Sequence, residues 1–128
     1  MNIEEALYTK LVSEAGVSTR VYPNVVPQDI PLPAVAYQRI STARDMAHDG
    51  PLGVAHVRFQ LTISAASYSS ARVVANAIRT ALDGFSGLMG GARGVTVEAS
   101  FVDNDSDGYN QAGGEQVVRL DVLVIHQE

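Results

Sequence analysis

The sequence has no cysteine, few basic residues and no long apolar run, and each absence excludes a class of protein. Without cysteine the chain cannot form a disulfide, a thiolate metal site or a thiol nucleophile. No apolar run approaches the roughly 20 residues that a membrane-spanning helix requires, so we expect no membrane partner. Residues 1–6 carry two glutamates and no basic residue, which is unlike a signal peptide.

The charge of the chain is acidic. Nine lysine and arginine residues stand against 14 acidic ones, which gives a formal net charge of −5 at pH 7. The basic residues are scattered, and no two of them are adjacent. Because proteins that grip nucleic acid present clustered basic residues to the phosphates, we expect no specific DNA binding.

Two segments have the spacing and the end signals of amphipathic helices. Residues 2–15 begin with Asn2 as a cap, and Glu5 follows three residues later, as in a capping box. The second helix begins after a serine cap, at Ser67 or Ser69, and carries apolar residues at helical spacing. A length of 128 residues predicts a single domain over residues 1–128.

Alternation of apolar and polar residues predicts the strands. The pattern is clearest over residues 55–65, and shorter candidates lie at 20–22, 34–40, 95–101 and 118–125. In the last of these both faces are apolar, since Leu123 and Ile125 interrupt its polar side. The order of the elements predicts an α+β fold, with a mainly antiparallel sheet of four to five strands and two helices packed on one face.

Four segments show neither the helical spacing nor the strand alternation of apolar residues, and they are predicted to be irregular. The prolines in 23–33 predict an extended connector, and the glycines in 84–94 predict a flexible turn. Residues 41–53 are polar and predict a long loop or a protruding hairpin, which is usually functional. Residues 103–114 are acidic and rich in glycine, which predicts a loop.

The acidic loop resembles the first half of a calcium-binding loop. Its matching positions are Asp103, Asp105, Asp107 and Gly108. The bidentate glutamate of such a loop would fall at position 114, but the glutamate is Glu115, and strands rather than helices flank the loop. A solvated turn is therefore favoured over a metal site.

No other pattern supports catalysis or a cofactor. The histidines at positions 48, 56 and 126 form no pair with helical spacing. The serines around the second helix lie outside a Gly-x-Ser-x-Gly elbow, and the glycines of 84–94 lack the Gly-Lys-Ser/Thr of a phosphate loop. We therefore predict no catalytic residues, no metal, no cofactor and no enzymatic activity.

Taken together, the chain resembles the tail-completion or tail-terminator proteins of long-tailed bacteriophages and prophages. Each of the matching stretches is common by itself, and the resemblance rests on their order and spacing along nearly the whole chain. In chain order they are Glu4 to Tyr8, Arg20 to Pro23, Val26 to Gln28, Leu32 to Ile40, Asp49 to Pro51, Ser67 to Arg72, Ala81 to Phe85, the strand from Val95, the acidic loop and the strand from Val118.

The resemblance implies a virion protein that acts in head-tail joining. Such a subunit forms a ring, a hexamer, at the head-proximal end of the tail, after assembly in the host cytoplasm. Its implied partners are other copies of itself, the tail tube protein and the head-tail connector or stopper protein, and DNA passes through the ring without specific binding. The resemblance also implies that residues 41–53 and the sheet edges contact neighbouring subunits.

The candidate interface residues come from three segments. A ring needs two different patches on each subunit, and the chain offers the 41–53 segment, the acidic loop and the last strand. The candidates are Arg44, Asp45, His48, Asp49, Asp105, Asp107, Tyr109, Leu123 and Ile125.

Other classes of function remain open from the residues alone. The chain could be a neck or connector (head-tail adaptor) subunit, or a non-viral adaptor that captures an extended peptide at a sheet edge. A small hydrolase is disfavoured because no nucleophile, base and orienting group can be assembled. Self-association would distinguish a terminator from an adaptor, which can stay monomeric until it meets its ligand.

Overall fold

In a computed structural model the protein consists of two helices and one six-stranded sheet. The structure describes residues 2–17, 19–27, 29–47, 50–110 and 114–128. The helices are α1 (Ile3–Glu14) and α2 (Tyr68–Leu82), and the strands are β1 (Val21–Pro23), β2 (Ala34–Ala47), β3 (Gly50–Ala65), β4 (Gly87–Met89), β5 (Val95–Asn110) and β6 (Glu115–Gln127). Within the described residues, neither helix is long and apolar enough to cross a membrane.

Both helices begin where their caps predict. The Asn2 side chain accepts a hydrogen bond from the Glu5 amide at 2.8 Å, and the Ser67 hydroxyl accepts one from the Ser70 amide at 3.2 Å. Each bond satisfies an amide that the first turn of a helix leaves without a partner. Ser67 is therefore the cap of α2, and Ser69 lies inside its first turn.

The sheet has six strands in the order β1-β2-β3-β6-β5-β4, so the prediction of four to five was too small. It is also partly parallel, because β1 pairs with β2 in parallel while the remaining pairs are antiparallel. The sequence had indicated a strand near β1 but not β4. β1 and β4 have only three residues each, which is too short for an alternation of apolar and polar residues to be visible. In addition, β4 lies inside the glycine-rich segment that was predicted to be a turn.

Residues 103–114, predicted as a loop, are largely strand, whereas residues 41–53 adopt the hairpin that was one of their two predicted forms. Within residues 41–53, β2 and β3 continue as a hairpin up to the pair Ala47 and Gly50. Within residues 103–114, β5 stays paired with β6 as far as Asn110 and Glu115. Aspartate and glycine disfavour strands locally, but strand propensity depends on context, and here β6 supplies a long apolar neighbour.

Both helices pack on one face of the sheet, as predicted, and this face forms the core. Alternate residues of β3 and β6 point into it and are fully or almost fully buried, because these two strands are the central pair. The buried set includes Phe59, Leu61 and Ile63 of β3, Leu120, Val122 and Val124 of β6, Ile3, Leu7 and Leu11 of α1, and Ala71, Ile78 and Leu82 of α2.

The two long hairpins turn at opposite ends of the sheet. Val54 of β3 pairs with Gln127 of β6 at one end, and Ala65 pairs with Gln116 at the other. The β2–β3 hairpin turns beyond the first pair, whereas the β5–β6 hairpin turns beyond the second. The two turns therefore lie far apart, separated by the length of the central strands.

Candidate assembly surfaces

The outer part of the β2–β3 hairpin, which we call the arm (residues 44–53), extends past the end of β6. Arg44 Nε donates to Glu128 Oε1 at 2.9 Å, and the Glu128 amide donates to the Gly53 carbonyl at 2.8 Å. The first of these bonds raises the pKa of the Arg44 guanidinium and lowers the pKa of the Glu128 carboxyl. Glu128 therefore holds the base of the arm in position.

Two of the four candidate interface residues in this segment can be placed. Arg44 and Asp45 lie on the exposed edge of the arm, and Asp45 also bonds His56 Nε2 at 3.1 Å. His48 and Asp49 lie outside the described residues. Met46 is 64% exposed although it is large and apolar, so the arm carries an unburied hydrophobic group.

Asp105 and Asp107 lie on the helix side of β5 and bind α2. Arg72 forms ion pairs with both carboxylates, at 3.6 Å to Asp105, and Tyr68 donates its hydroxyl to Asp107 at 3.0 Å. A hydrogen bond to Tyr68, with the nearby carboxylates, raises the pKa of Arg72. These two aspartates thus fasten the helix to the strand. Tyr109, farther along β5, is 56% exposed.

Leu123 and Ile125 lie on the other face of the sheet, where no helix of the described chain packs. We call it the open face. One row across it runs from Ser41 through Arg58 and Leu123 to Phe101. Phe101 is 46% exposed, and Arg58 crosses to Asp103 with an Nη1–Oδ2 distance of 2.7 Å. The open face therefore combines an apolar patch with paired charges.

Phe101 was missed because of a β-bulge. By strict alternation it shares a face with Val95 and Val97, which are buried in the core. The pairing of β5 with β6 shifts between Val97 and Ala99, so Glu98 is an extra residue. Such a bulge reverses the alternation, and Phe101 therefore points away from the core.

The edges of the sheet are covered only in part. On β2, the pairs with β1 stop at Tyr37, whose carbonyl accepts from the Asn24 amide. We call residues 38–47 the β2 free edge. Among the described residues no further strand pairs with it.

On β5, the cover comes from β4 and from the end of α2. β4 pairs with residues 95–97, and the Gly84 amide then donates to the Ser100 carbonyl at 2.8 Å. The Val102 amide donates to Asp83 Oδ1 at 3.2 Å. Gly84 has a φ of +78°, which suits glycine and aims its amide at the strand. Beyond this cover lies the β5 free edge, residues 104–110.

A groove of about 420 Å³ lies between the segment 24–26 and the open face, and its floor includes Ser64 and Arg119. Its lining holds hydroxyls but no histidine that could act as their base. In the residues that the structure describes, no three histidine, aspartate or glutamate side chains converge as metal ligands.

The comparison with known proteins bears on all of these surfaces. Residues 5–125 match the family described as Tail completion protein gp17. The chain belongs to this tail completion family. The resemblance seen in the sequence is thereby confirmed, and the arm, the open face and both free edges lie within the matched region. No curated protein gives a significant match.

The fold of this tail completion protein recurs in a solved structure. It matches a chain of the structure titled "Virion of native gene transfer agent (GTA) particle" with a TM-score of 0.77 and 19% sequence identity. The match covers 98% of this chain and 95% of that chain. Because the identity is low, the likeness concerns the fold.

Proposed function

We propose that this tail completion protein is a non-enzymatic structural subunit of a phage-like virion. In this proposal it forms a ring, a hexamer, at the head-proximal end of the tail tube, where it stops tube growth and joins the tail to the connector. Its partners are its own copies, the tube protein and the connector or stopper protein. Family membership and the shared fold of a chain in a virion particle support this assignment.

The observation that carries the proposal is the projecting arm. Past the level at which β6 ends, β2 and β3 pair only with each other, down to Ala47 and Gly50. Of the side chains that the structure describes in this part, Met46 is large, apolar and 64% exposed. A segment that exposes an apolar side chain and is held in position by Arg44 and Glu128 is suited to contact another subunit.

The charges suit a ring through which DNA passes. Arg58, on the open face, is engaged by Asp103, so its charge is not free to neutralise a phosphate. The subunit carries a net charge of −5, which repels the duplex. A ring built from such subunits would let DNA move without the counterion release that drives tight binding.

The test removes the arm and keeps its base. Residues 46–51 are replaced by an Asn-Gly turn, which closes a two-residue hairpin, so that Arg44 and Glu128 remain. We expect the variant to keep its circular dichroism spectrum and melting cooperativity, since loop shortening changes closure entropy only slowly. In native mass spectrometry it should lose the oligomer of the wild type, and tubes assembled with it should grow past their normal length.

A matched control changes the helix side instead. Val73 of α2 is 68% exposed, and Val73→Ser should leave both the oligomer and the tube length as they are. The proposal fails if the arm variant still forms wild-type oligomers and halts tubes normally. Binding to the connector without any effect on tube length would instead favour a neck subunit.

A further inference from the structure

We propose that copies of this chain join by sheet extension, with the β2 free edge of one subunit paired to the β5 free edge of the next. This inference rests on the proposed ring and specifies its joint. An uncovered strand edge presents unpaired N–H and C=O groups, which readily pair with another strand. Residues 38–47 and 104–110 are such edges, and they lie on opposite sides of the sheet.

The direction of the strands fits this joint. β2 is antiparallel to β3, β3 to β6, and β6 to β5. β2 and β5 therefore run in opposite directions within one subunit. A copy placed beside the β5 free edge in the same orientation brings its β2 alongside in an antiparallel manner. The joint would continue the pairing that holds the rest of the sheet.

The two free edges are offset along the strands. Gln38 and Asn104 lie at the same level, since Gln38 pairs with Gln60 and Asn104 reaches Gln60 through Asp121. From that level the β2 free edge runs toward the arm, and the β5 free edge runs toward the opposite end. Placing Gln38 of one subunit opposite Asn110 of the next therefore requires a shift of about six residues, or about 20 Å along the strands.

A closed ring can accommodate this offset if the strands are tilted. Four long strands at about 4.8 Å spacing make a sheet about 19 Å wide. A shift of about 20 Å per subunit then corresponds to a tilt of about 45°, close to the 35–45° that closed barrels adopt. With untilted strands the same shift would generate an open helical filament rather than a ring.

The short covering strands are placed so that the offset joint avoids them. β1 covers β2 at residues 35–37, and β4 covers β5 at residues 95–97, at the opposite end of the sheet. When the free edges are brought together, β1 lies beyond one end of the joint and β4 beyond the other. Each edge is thus blocked only in the part that the neighbour does not use.

Side chains near the two edges have complementary charge on the same face. Arg39 and Arg44 of β2 pair with the core-facing positions Phe59 and Ala55, which places them on the helix side. Asp105 and Asp107 of β5 lie on the same side. All four already have partners within the subunit. Their opposite charges would therefore favour one orientation of the joint and add little to its strength.

Crosslinking of introduced cysteines tests the joint, and the natural chain has no cysteine to interfere. Ala43→Cys and Ser106→Cys put one exposed thiol on each free edge, both on the open face. They are combined in one chain and treated with a bismaleimide of about 8 Å reach, enough for direct and diagonal neighbours across strands. The control combines Ala43→Cys with Thr96→Cys, where β4 covers the strand.

The expected result is a ladder of linked dimers, trimers and larger species from the Ala43/Ser106 variant at high protein concentration. Each single variant and the Ala43/Thr96 control should remain monomeric. If Ala43→Cys does not fold, Ser41→Cys takes its place. The joint is overturned if the double variant gives no ladder, if a single variant links into dimers, or if the control links equally well.

Electron microscopy of the same samples separates this failure from failure of the ring itself. Rings without a ladder would contradict the proposed edge pairing but remain consistent with the proposed ring. If the samples show neither rings nor a ladder, and tubes grow to uncontrolled length, both the edge pairing and the proposed ring are contradicted. Filaments with a ladder would keep the joint and contradict closure, and with it the proposed tilt.

Discussion

The two faces of the sheet differ in how far their apolar side chains are buried. On the helix side Leu61 and Leu120 are directly paired and fully or almost fully buried. On the open face Leu123 lies between Arg58 and the half-exposed Phe101. The same strands supply both faces, so the difference lies in what covers them. One face is covered by the helices of the same chain, and the other has no helix of the described residues packed on it.

The largest effect is expected on the covered face. Leu61→Ala should lower the free energy of unfolding by about 2–5 kcal/mol, because it leaves a cavity beneath α2. Its neighbour Gln60 points to the open face, and Gln60→Ala should stay within about 0.5 kcal/mol of the wild type. Urea denaturation measures both, and equal losses would contradict the assigned register of β3.

A smaller loss is expected at the tie between α2 and β5. Arg72→Ala removes two ion pairs and the hydrogen bond to Tyr68, and these groups are partly exposed. The free energy of unfolding should fall by about 1 kcal/mol, the upper range for surface ion pairs. Arg79→Ala, on the same helix, serves as the control in denaturant titration. An unchanged midpoint for Arg72→Ala would mean that these ion pairs do not contribute measurably to the stability of the subunit.

A substitution at Phe101 should weaken assembly while changing the stability of the subunit only slightly. Phe101→Ser removes a half-exposed ring, so the melting temperature should change by less than the Leu61→Ala variant changes it. Self-association measured by sedimentation should nevertheless weaken, because the open face loses its largest apolar group. A large drop in melting temperature with unchanged association would show that the face is covered within the chain.

The smallest effect concerns pH and the base of the arm. The pKa of Glu128 is lowered in the folded state, mainly by the hydrogen bond from Arg44. Its contribution to stability is therefore present above its ordinary pKa and is lost as the pH falls through the lowered value. Amide exchange near Gly53, followed by NMR, should be better protected at neutral than at acidic pH. Glu128→Gln should show less of this pH dependence, and identical profiles would exclude the mechanism.

The parts of the fold that could be predicted from the sequence depend on local signals. Asn2 and Ser67 cap their helices through hydrogen bonds to amides three residues later. In residues 55–65, apolar and polar residues alternate without interruption. The long strand pairs at 103–110 depend on β6, which is distant in sequence, so acidic residues there indicated a loop instead. Local propensity cannot show which neighbour a segment will meet.

The candidate site was predicted in part for a related reason. Leu123 and Ile125 stood out because an apolar residue at a polar position of a regular strand is visible in the sequence. Phe101 did not, because the phase of β5 changes at Glu98. The free edges are a property of topology, and no residue type marks them. The role of Asp105 and Asp107 in holding Arg72 likewise appears only when α2 is packed on β5.

The bulge at Glu98 makes this point of β5 tolerant of a change in strand length. A substitution at Glu98 changes one side chain at an exposed position. Deletion of this single residue would remove the bulge and join Val97 directly to Ala99. Strict alternation from Val97 would then still place Phe101 on the open face and Val102 on the helix side. At this point β5 can therefore lose one residue without turning the later side chains to the opposite face.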